Sequence, residues 1–226
     1  MQDKKVNDSF DHIFKKESHF YDDFMTGRVW YTRLINRLFF HQRSFLPSAN
    51  LVFEMLPHTL EGKILDVPCG TGVLTKNLYL ENPQAQITCL DYSENMLSHF
   101  KNALAQNGRS STHIHFQRGD VACMPYEDES FDLVLSMNGY QCFPQKNESL
   151  IEIKRVLKKG GLFVGSAYRK GEYFISDLIV KIYDKKGIMT GPHETEHELK
   201  AHLDTLFKVK RCQGMGTSFH FCCIKE

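Results

Sequence analysis

No apolar run in the 226-residue chain approaches the roughly 18 residues that a membrane-crossing helix needs, so a helical membrane span is not expected. Charge of one sign is also scarce. The 28 Lys and Arg nearly balance 27 Asp and Glu, leaving a formal charge of +1. That removes the main electrostatic argument for a nucleic-acid or membrane-surface binder, unless a local patch survives the averaging. The opening Met1-Gln2-Asp3-Lys4-Lys5 leads into polar sequence without an apolar signal core, and no secretory signal is expected. The seven cysteines show no C-x-x-C spacing, and Cys222 and Cys223 are adjacent. An odd number without a pairing pattern implies reduced thiols and a cytoplasmic location, not a disulfide scaffold or a zinc module. Repeats, low-complexity tracts and long linkers are missing too. What remains is 42% hydrophobic and 24% charged, the balance of one globular domain of ordinary size.

The pattern changes near residue 60. Before it, Phe10, Ile13, Phe14, Phe20, Tyr21 and Phe24 recur at helical steps until Gly27. Val29, Trp30, Leu34, Leu38 and Phe39 form a second run, and Leu51, Val52 and Met55 a third before Pro57. Such stripes are first of all packing surfaces. Residues 1–58 therefore read as an N-terminal helical cap, part of the same domain as a core over 59–226. In the core, strands expected over 63–67, 86–90, 113–117, 131–136 and 162–167 alternate with helices over 71–80, 93–105 and 150–157. Ser93 is a candidate N-cap, and Lys159-Gly160-Gly161 reads as a basic, glycine-capped helix end. The alternation is that of βαβ units, an α/β fold with a parallel sheet. Strands over 207–211 and 218–224 are joined too closely for a parallel crossover, so they should form an antiparallel edge hairpin.

The most informative segment, Ile64-Leu65-Asp66-Val67-Pro68-Cys69-Gly70-Thr71-Gly72-Val73-Leu74-Thr75, takes a strand through a glycine turn into a helix. In open α/β sheets ligands sit there, beyond the carboxyl ends of the strands. Asp91 follows Gly72 by nineteen residues, where a carboxylate accepts from ribose hydroxyls. A dinucleotide fingerprint would place a third glycine at Thr75, so that match is incomplete. Asp66 also gains nothing from a pyrophosphate, whereas it would attract a cationic amino-acid group.

The stretches D-V-P-C-G-T-G, L-D-Y-S-E-N-M-L and Q-R-G-D-V-A-C-M-P-Y resemble class I S-adenosylmethionine-dependent methyltransferases. F-D-L-V-L-S and R-V-L-K-K-G-G-L-F-V extend the match, which is closest to the small-molecule branch around the ubiquinone and menaquinone methyltransferases. The resemblance covers about residues 60–170. It implies a Rossmann-like, doubly wound seven-stranded sheet with an antiparallel edge hairpin under a helical cap, and S-adenosylmethionine as cofactor. By position, Asp66 and the Gly70-Thr71-Gly72 turn would hold the methionine portion. Pro68 stands where the family has its first glycine, which implies altered contacts to the carboxylate end. Asp91 would bind the ribose, with Tyr92 and Met96 against sugar and adenine; Asp120 and the backbone of Val121 would read the adenine edge; Ser136 to Asn138 would flank the sulfonium. The aromatic cap and neutral charge point to a small, apolar or planar acceptor and not to nucleic acid, with Tyr21, Tyr31, Tyr140 and Tyr168 as candidate pocket residues. Tyr140 and His193 are the candidate catalytic residues, Tyr140 to position an acceptor and His193 as a base or substrate contact. The alternatives are a protein or RNA methyltransferase, marked by a positive surface beside the pocket, and a cofactor-binding protein of this fold without transfer activity.

Two weaker signals were weighed. His193-Glu194-Thr195-Glu196-His197 spells the H-E-x-x-H of zinc peptidases, a chemistry that needs both histidines on one helix face. Gly191-Pro192 and an N-cap at Thr195 would leave His193 outside the helix, so no metal is expected. Thiol convergence for arsenite methylation is disfavoured because Cys69, Cys89 and Cys222 fall in the turn and strands.

Overall fold

The structure, a computed structural model, describes residues 18–226; Phe10, Ile13 and Phe14 lie outside them. The described chain opens with three helices, α1 (Ser18–Thr26), α2 (Trp30–Phe39) and α3 (Leu46–Phe53). Then come β1 (Lys63–Asp66), α4 (Lys76–Leu80), β2 (Gln86–Asp91), α5 (Glu94–Ala105), β3 (Ile114–Arg118) and β4 (Phe131–Met137). After a 3₁₀ turn at Tyr140–Cys142 follow α6 (Lys146–Val156), β5 (Leu157–Tyr168), α7 (Phe174–Lys185), α8 (Glu196–Leu206), β6 (Lys208–Met215) and β7 (Ser218–Ile224).

The seven strands form one sheet in the order β3-β2-β1-β4-β5-β7-β6. Strands β1 to β5 are parallel, with Ile64 level with Ile87 on one side and Leu133 on the other. β7 runs antiparallel to both β5 and β6, the expected edge hairpin. The central strands read as nearly continuous apolar runs because helices cover both faces. On one face Leu65, Val134, Phe163 and Phe219 meet Leu150 and Ile153 of α6 and Leu199 and Leu203 of α8. On the other, Ile64, Ile87, Leu135 and Val164 meet Val52 of α3, Tyr79 of α4 and Leu97 and Phe100 of α5. Burying a side chain such as Phe100 contributes about 1.5–3 kcal/mol, so these two layers carry most of the fold's stability. A smaller cluster joins Met25, Phe40 and Phe45 to Ile179 and Tyr183 of α7. The helix α3 is pinned to the sheet by Ser48, whose Oγ lies 2.6 Å from His220 Nε2. Burial lowers the His220 pKa, so the neutral ring donates from Nδ1 to the Gln213 carbonyl at 3.1 Å and accepts from Ser48.

Three local expectations are corrected. The helix expected from residue 71 starts only at Lys76, because residues 71–75 are spent in tight turns: Gly72 N–H bonds back to Cys69 and Thr75 N–H to Gly72. The helix expected over 150–157 starts four residues earlier, at Lys146, and ends at Val156. Lys159-Gly160-Gly161 is no helix cap: it lies within β5, where the register against β4 shifts between Leu157 and Leu162 and Gly160 has φ +79°. Ser93 does cap α5, accepting from Met96 N–H at 3.3 Å. Thr195 and Glu198 form a reciprocal capping box on α8.

Candidate functional site

Strand order reverses between β1 and β4, and a cleft opens there beyond their carboxyl ends. The 67–75 turn forms one wall; Asp91, Tyr92 and Met96 from the end of β2 and the start of α5 form a second. Asp120 and Val121 after β3, and Met137 and Asn138 at the end of β4, complete it. Asp91 braces the site: Oδ2 accepts from Gly70 N–H at 2.8 Å and Oδ1 from Ser93 N–H at 2.9 Å. Asp120 Oδ1 accepts from Ala122 N–H at 2.9 Å. Among the described residues, two carboxylates and no Lys or Arg line the cleft, a potential suited to a cation and unsuited to phosphates.

The two glycines of the turn serve different ends. At Gly70, φ is +56° and a Cβ would meet nothing within 4 Å, so the missing side chain leaves open space. At Gly72, a Cβ would stand 2.3 Å from the Phe100 ring, so this glycine admits close helix packing. Pro68 is matched by a third: a Cβ on Gly139 would lie 2.1 Å from Pro68 Cδ. Pro68 is thus accommodated by a glycine on the facing loop.

Two residues expected in the cleft do not line it. Asp66 is fully buried, its Oδ2 accepting from Thr75 Oγ1 at 3.2 Å. Burial raises its pKa to about 7, an effect the Tyr79 and Thr75 hydroxyls only partly offset. Ser136 is likewise fully buried, with Oγ unpartnered. Asn138, with φ +52° and a buried Nδ2 that has no partner, does line it.

A second cavity of about 520 Å³ adjoins the cleft, and Tyr21, Asn138 and Cys142 line both. Its walls are mainly apolar: Phe20, Phe24, Met25 and Ile35 from α1 and α2, then Phe40 and Phe45, with Tyr183, Ile188 and Met189 opposite. Gln141, Tyr168, Thr217 and Ser218 supply polar edges, and Lys186 is the one charged side chain among the described residues. The cap is fastened over the glycine turn by Asp22, which accepts from Thr71 Oγ1 at 2.6 Å and lies 2.9 Å from His99 Nε2.

Of the candidate pocket tyrosines, Tyr21 and Tyr168 line this cavity. Tyr31 does not: it lies on the solvent face of α2, because Thr32 and Asn36 are the residues that helix turns inward. Tyr140 also misses both cavities. Its hydroxyl donates to Glu194 and lies 2.9 Å from His202 Nδ1, which reaches Glu194 Oε1 at 3.0 Å. His193 sits 2.7 Å from Asp184 Oδ1 and packs edge-on against Tyr168, lining neither cavity. The H-E-x-x-H residues therefore diverge: His193 precedes α8, Glu194 turns to Tyr140, and His197 is exposed on the helix. No cluster of three or more metal-ligating side chains occurs among the described residues. Tyr183, Lys186 and Met189 come from the segment between Tyr168 and Pro192, expected with the N-terminal helices to cover the cofactor, but no motif there marks individual residues. Burial pushes the Tyr21 and Tyr168 hydroxyls well above the usual range, helped at Tyr168 by Asp177, and the Cys142 thiol to about 12. Among the described residues, no Asp, Glu or His lines the second cavity.

Residues 58–214 match a family described as a methyltransferase domain. A demethylmenaquinone methyltransferase of Leptospira interrogans is 32% identical over 165 residues, 70% of this chain and 58% of that protein. An uncharacterized chloroplastic methyltransferase of Arabidopsis thaliana is 32% identical over 133 residues, 56% of this chain and 38% of that protein. The chain thus spans about half the length of these curated relatives. Among solved structures, a Thermotoga maritima S-adenosylmethionine-dependent methyltransferase, described as a possible histamine N-methyltransferase, superposes with a TM-score of 0.68. It is 19% identical and covers 96% of this chain and 100% of its own, a likeness of fold.

Proposed function

Because the chain belongs to the methyltransferase-domain family and has the fold of the S-adenosylmethionine-dependent enzymes, we propose that it transfers a methyl group from S-adenosylmethionine to a small, largely apolar acceptor. The observation that carries this reading is the pair of adjoining cavities, one acidic and one aromatic, joined at Tyr21, Asn138 and Cys142. The cofactor fits the first: the open space over Gly70 admits its amino-acid end, and two carboxylates suit its positive charge. Asp91 would hold the ribose and Asp120 the adenine. S-adenosylmethionine supplies a methyl carbon already activated on sulfur, so the protein's share is orientation and exclusion of water. In-line positioning contributes on the order of 7–11 kcal/mol, more than a general base would add.

The second cavity sets the acceptor's chemistry. With no carboxylate among the described residues of its wall, an ammonium there would lose water and find no ion-pair partner to offset the loss. A neutral or anionic acceptor faces no such penalty, and Lys186 suits the anionic one. The tyrosine and cysteine hydroxyl and thiol groups stay protonated at neutral pH, so the acceptor brings its own nucleophilic atom. Incubation with methyl-labelled cofactor and solvent-partitioned metabolite extracts should label a product in the organic phase. Met189→Trp, which fills the cavity from its outer wall, should cut transfer at least about a hundredfold, some 2.8 kcal/mol, with S-adenosylhomocysteine affinity unchanged. Full turnover in that variant would place the acceptor elsewhere.

A further inference from the structure

Two helices that wall the second cavity turn apolar faces to solvent. On α2, Trp30 is 74% exposed, and Leu34 and Leu38, each one turn further on, are about half exposed. On α7, Phe174 is 83% exposed, and Ile175, Leu178 and Ile182 are about half exposed. The end of α2 meets the start of α7: Ser176 Oγ donates to the Phe39 carbonyl, and His41 stacks on Tyr173 at 3.6 Å. Their inward positions, Thr32 and Asn36 on α2 and Ser176 and Val180 on α7, are buried, so the apolar stripes face outward. Single exposed leucines need no explanation, but seven exposed large apolar side chains on two neighbouring helices do.

Charge identifies what the patch meets. Between residues 29 and 53 the chain carries Arg33, Arg37 and Arg43 and no acidic residue. α7 adds Lys181 and Lys185, Lys186 beyond it lining the second cavity, while Asp177 is held by the Tyr168 hydroxyl, Asp184 by His193 and Glu172 by Arg169. Five cations thus stand beside three engaged carboxylates, in a chain whose total is only +1. Amphipathic helices with a basic rim and Trp, Phe and Leu on the apolar face lie in the plane of anionic bilayers.

We propose that the α2–α7 face docks peripherally on anionic lipid bilayers. A second copy of the chain is a poorer occupant, because a two-fold interface would set five cations against five. A nucleic acid would satisfy the cations but leave Leu34, Leu38, Leu178 and Ile182 without partners, since aliphatic side chains do not stack on bases. Ile35 of α2 and Tyr183 of α7 line the second cavity from the same two helices, so docking sets that cavity close to the lipid.

Trp30 is the only tryptophan in the chain, so its fluorescence reports from the face itself. The purified full-length protein is mixed with phosphatidylcholine vesicles, or with vesicles containing about a third phosphatidylglycerol. The proposal expects a blue shift and co-flotation with the anionic vesicles, weakened by salt and much smaller with phosphatidylcholine alone. Each cation removed should lower partitioning about fivefold, so Arg37→Gln with Lys181→Gln should lower it about thirtyfold. Leu38→Ser with Leu178→Ser should abolish the blue shift while melting temperature and S-adenosylhomocysteine affinity stay unchanged. The proposal is overturned by unshifted Trp30 emission on anionic vesicles, by a dimer whose Trp30 is already blue-shifted without lipid, or by tighter binding to a single-stranded RNA than to the vesicles. Neither cofactor nor acceptor is present in these assays, so their outcome is separate from that of methyl transfer.

Discussion

Replacing Gly139 by alanine tests whether the proline in the turn is held by a glycine opposite. The backbone there has φ −93° and ψ −38°, an ordinary helical conformation, so alanine meets no strain. Through the unfolded chain alone, Gly139→Ala would gain about 0.4–1 kcal/mol. The added Cβ, however, would stand 2.1 Å from Pro68 Cδ and 2.8 Å from both Pro68 Cγ and Ser136 Oγ. Comfortable carbon contacts begin at about 3.5 Å, so something must move by more than an ångström. The proline ring cannot rotate away, and its flanks are fixed: Val67 N–H bonds to the Leu135 carbonyl at 2.9 Å and Cys69 N–H to the Leu90 carbonyl at 3.0 Å. Overpacking of this kind costs about 1–3 kcal/mol, and the rigid surroundings place it at the upper end. For a chain of this length that is a fall in melting temperature of about 6–12 °C. Pro68→Gly removes two of the three clashing atoms, so the double variant should recover about 2 kcal/mol of the loss. Urea denaturation of the wild type, both single variants and the double variant closes the cycle. Additivity of the two single effects within about 0.5 kcal/mol would refute the coupling.

Asp66 makes a pH-dependent prediction. Its folded pKa of about 7 lies above the unfolded value of 3.8. The native state therefore holds that proton more tightly, and the resulting stability is full below about pH 4 and lost as pH rises through about 7, some 4 kcal/mol in all. Asp66→Asn should remove this slope in denaturation measured across that range; a variant with the wild-type slope would show that another group causes it. The two turn glycines should separate cleanly. Gly70→Ala bears only the left-handed backbone cost of about 1–2 kcal/mol but should weaken S-adenosylhomocysteine at least tenfold. Gly72→Ala should chiefly destabilise, by about 2–4 kcal/mol, through its collision with Phe100. Equal effects of both on binding and stability would contradict the division of roles.

The layout of the sheet was legible in the sequence because period and punctuation agree along residues 60–224: buried strands are short apolar runs, and Ser93 and Thr195 announce their helices. The segments that departed from expectation share a cause. At residues 71–75 and 158–161 the glycines shape turns and a bulge that local propensity reads as helix start and helix end. The Gly70-Thr71-Gly72 turn, Asp91 and Asp120 could be placed because each lies at or within a few residues of the end of β1, β2 or β3. Tyr140 and His193 could not, since their sequence positions at the mouth of the sheet say nothing of the partners Glu194 and Asp184 that draw their polar atoms away. Tyr31 failed for a simpler reason: an aromatic helix has two faces, and only packing decides which one is buried. The same ambiguity hid the α2–α7 patch beneath a net charge of +1.

The central claim is that the cleft at the β1–β4 reversal is built for S-adenosylmethionine, and calorimetry tests it most directly. Titration with S-adenosylhomocysteine should show one site per chain, and titration with NAD should show none. Asp91→Ala, in a folded protein, should weaken the S-adenosylhomocysteine site by about 1.5–3 kcal/mol, the scale of a lost hydrogen bond to a charged group. Tight NAD binding, or S-adenosylhomocysteine affinity unchanged by Asp91→Ala, would contradict the account.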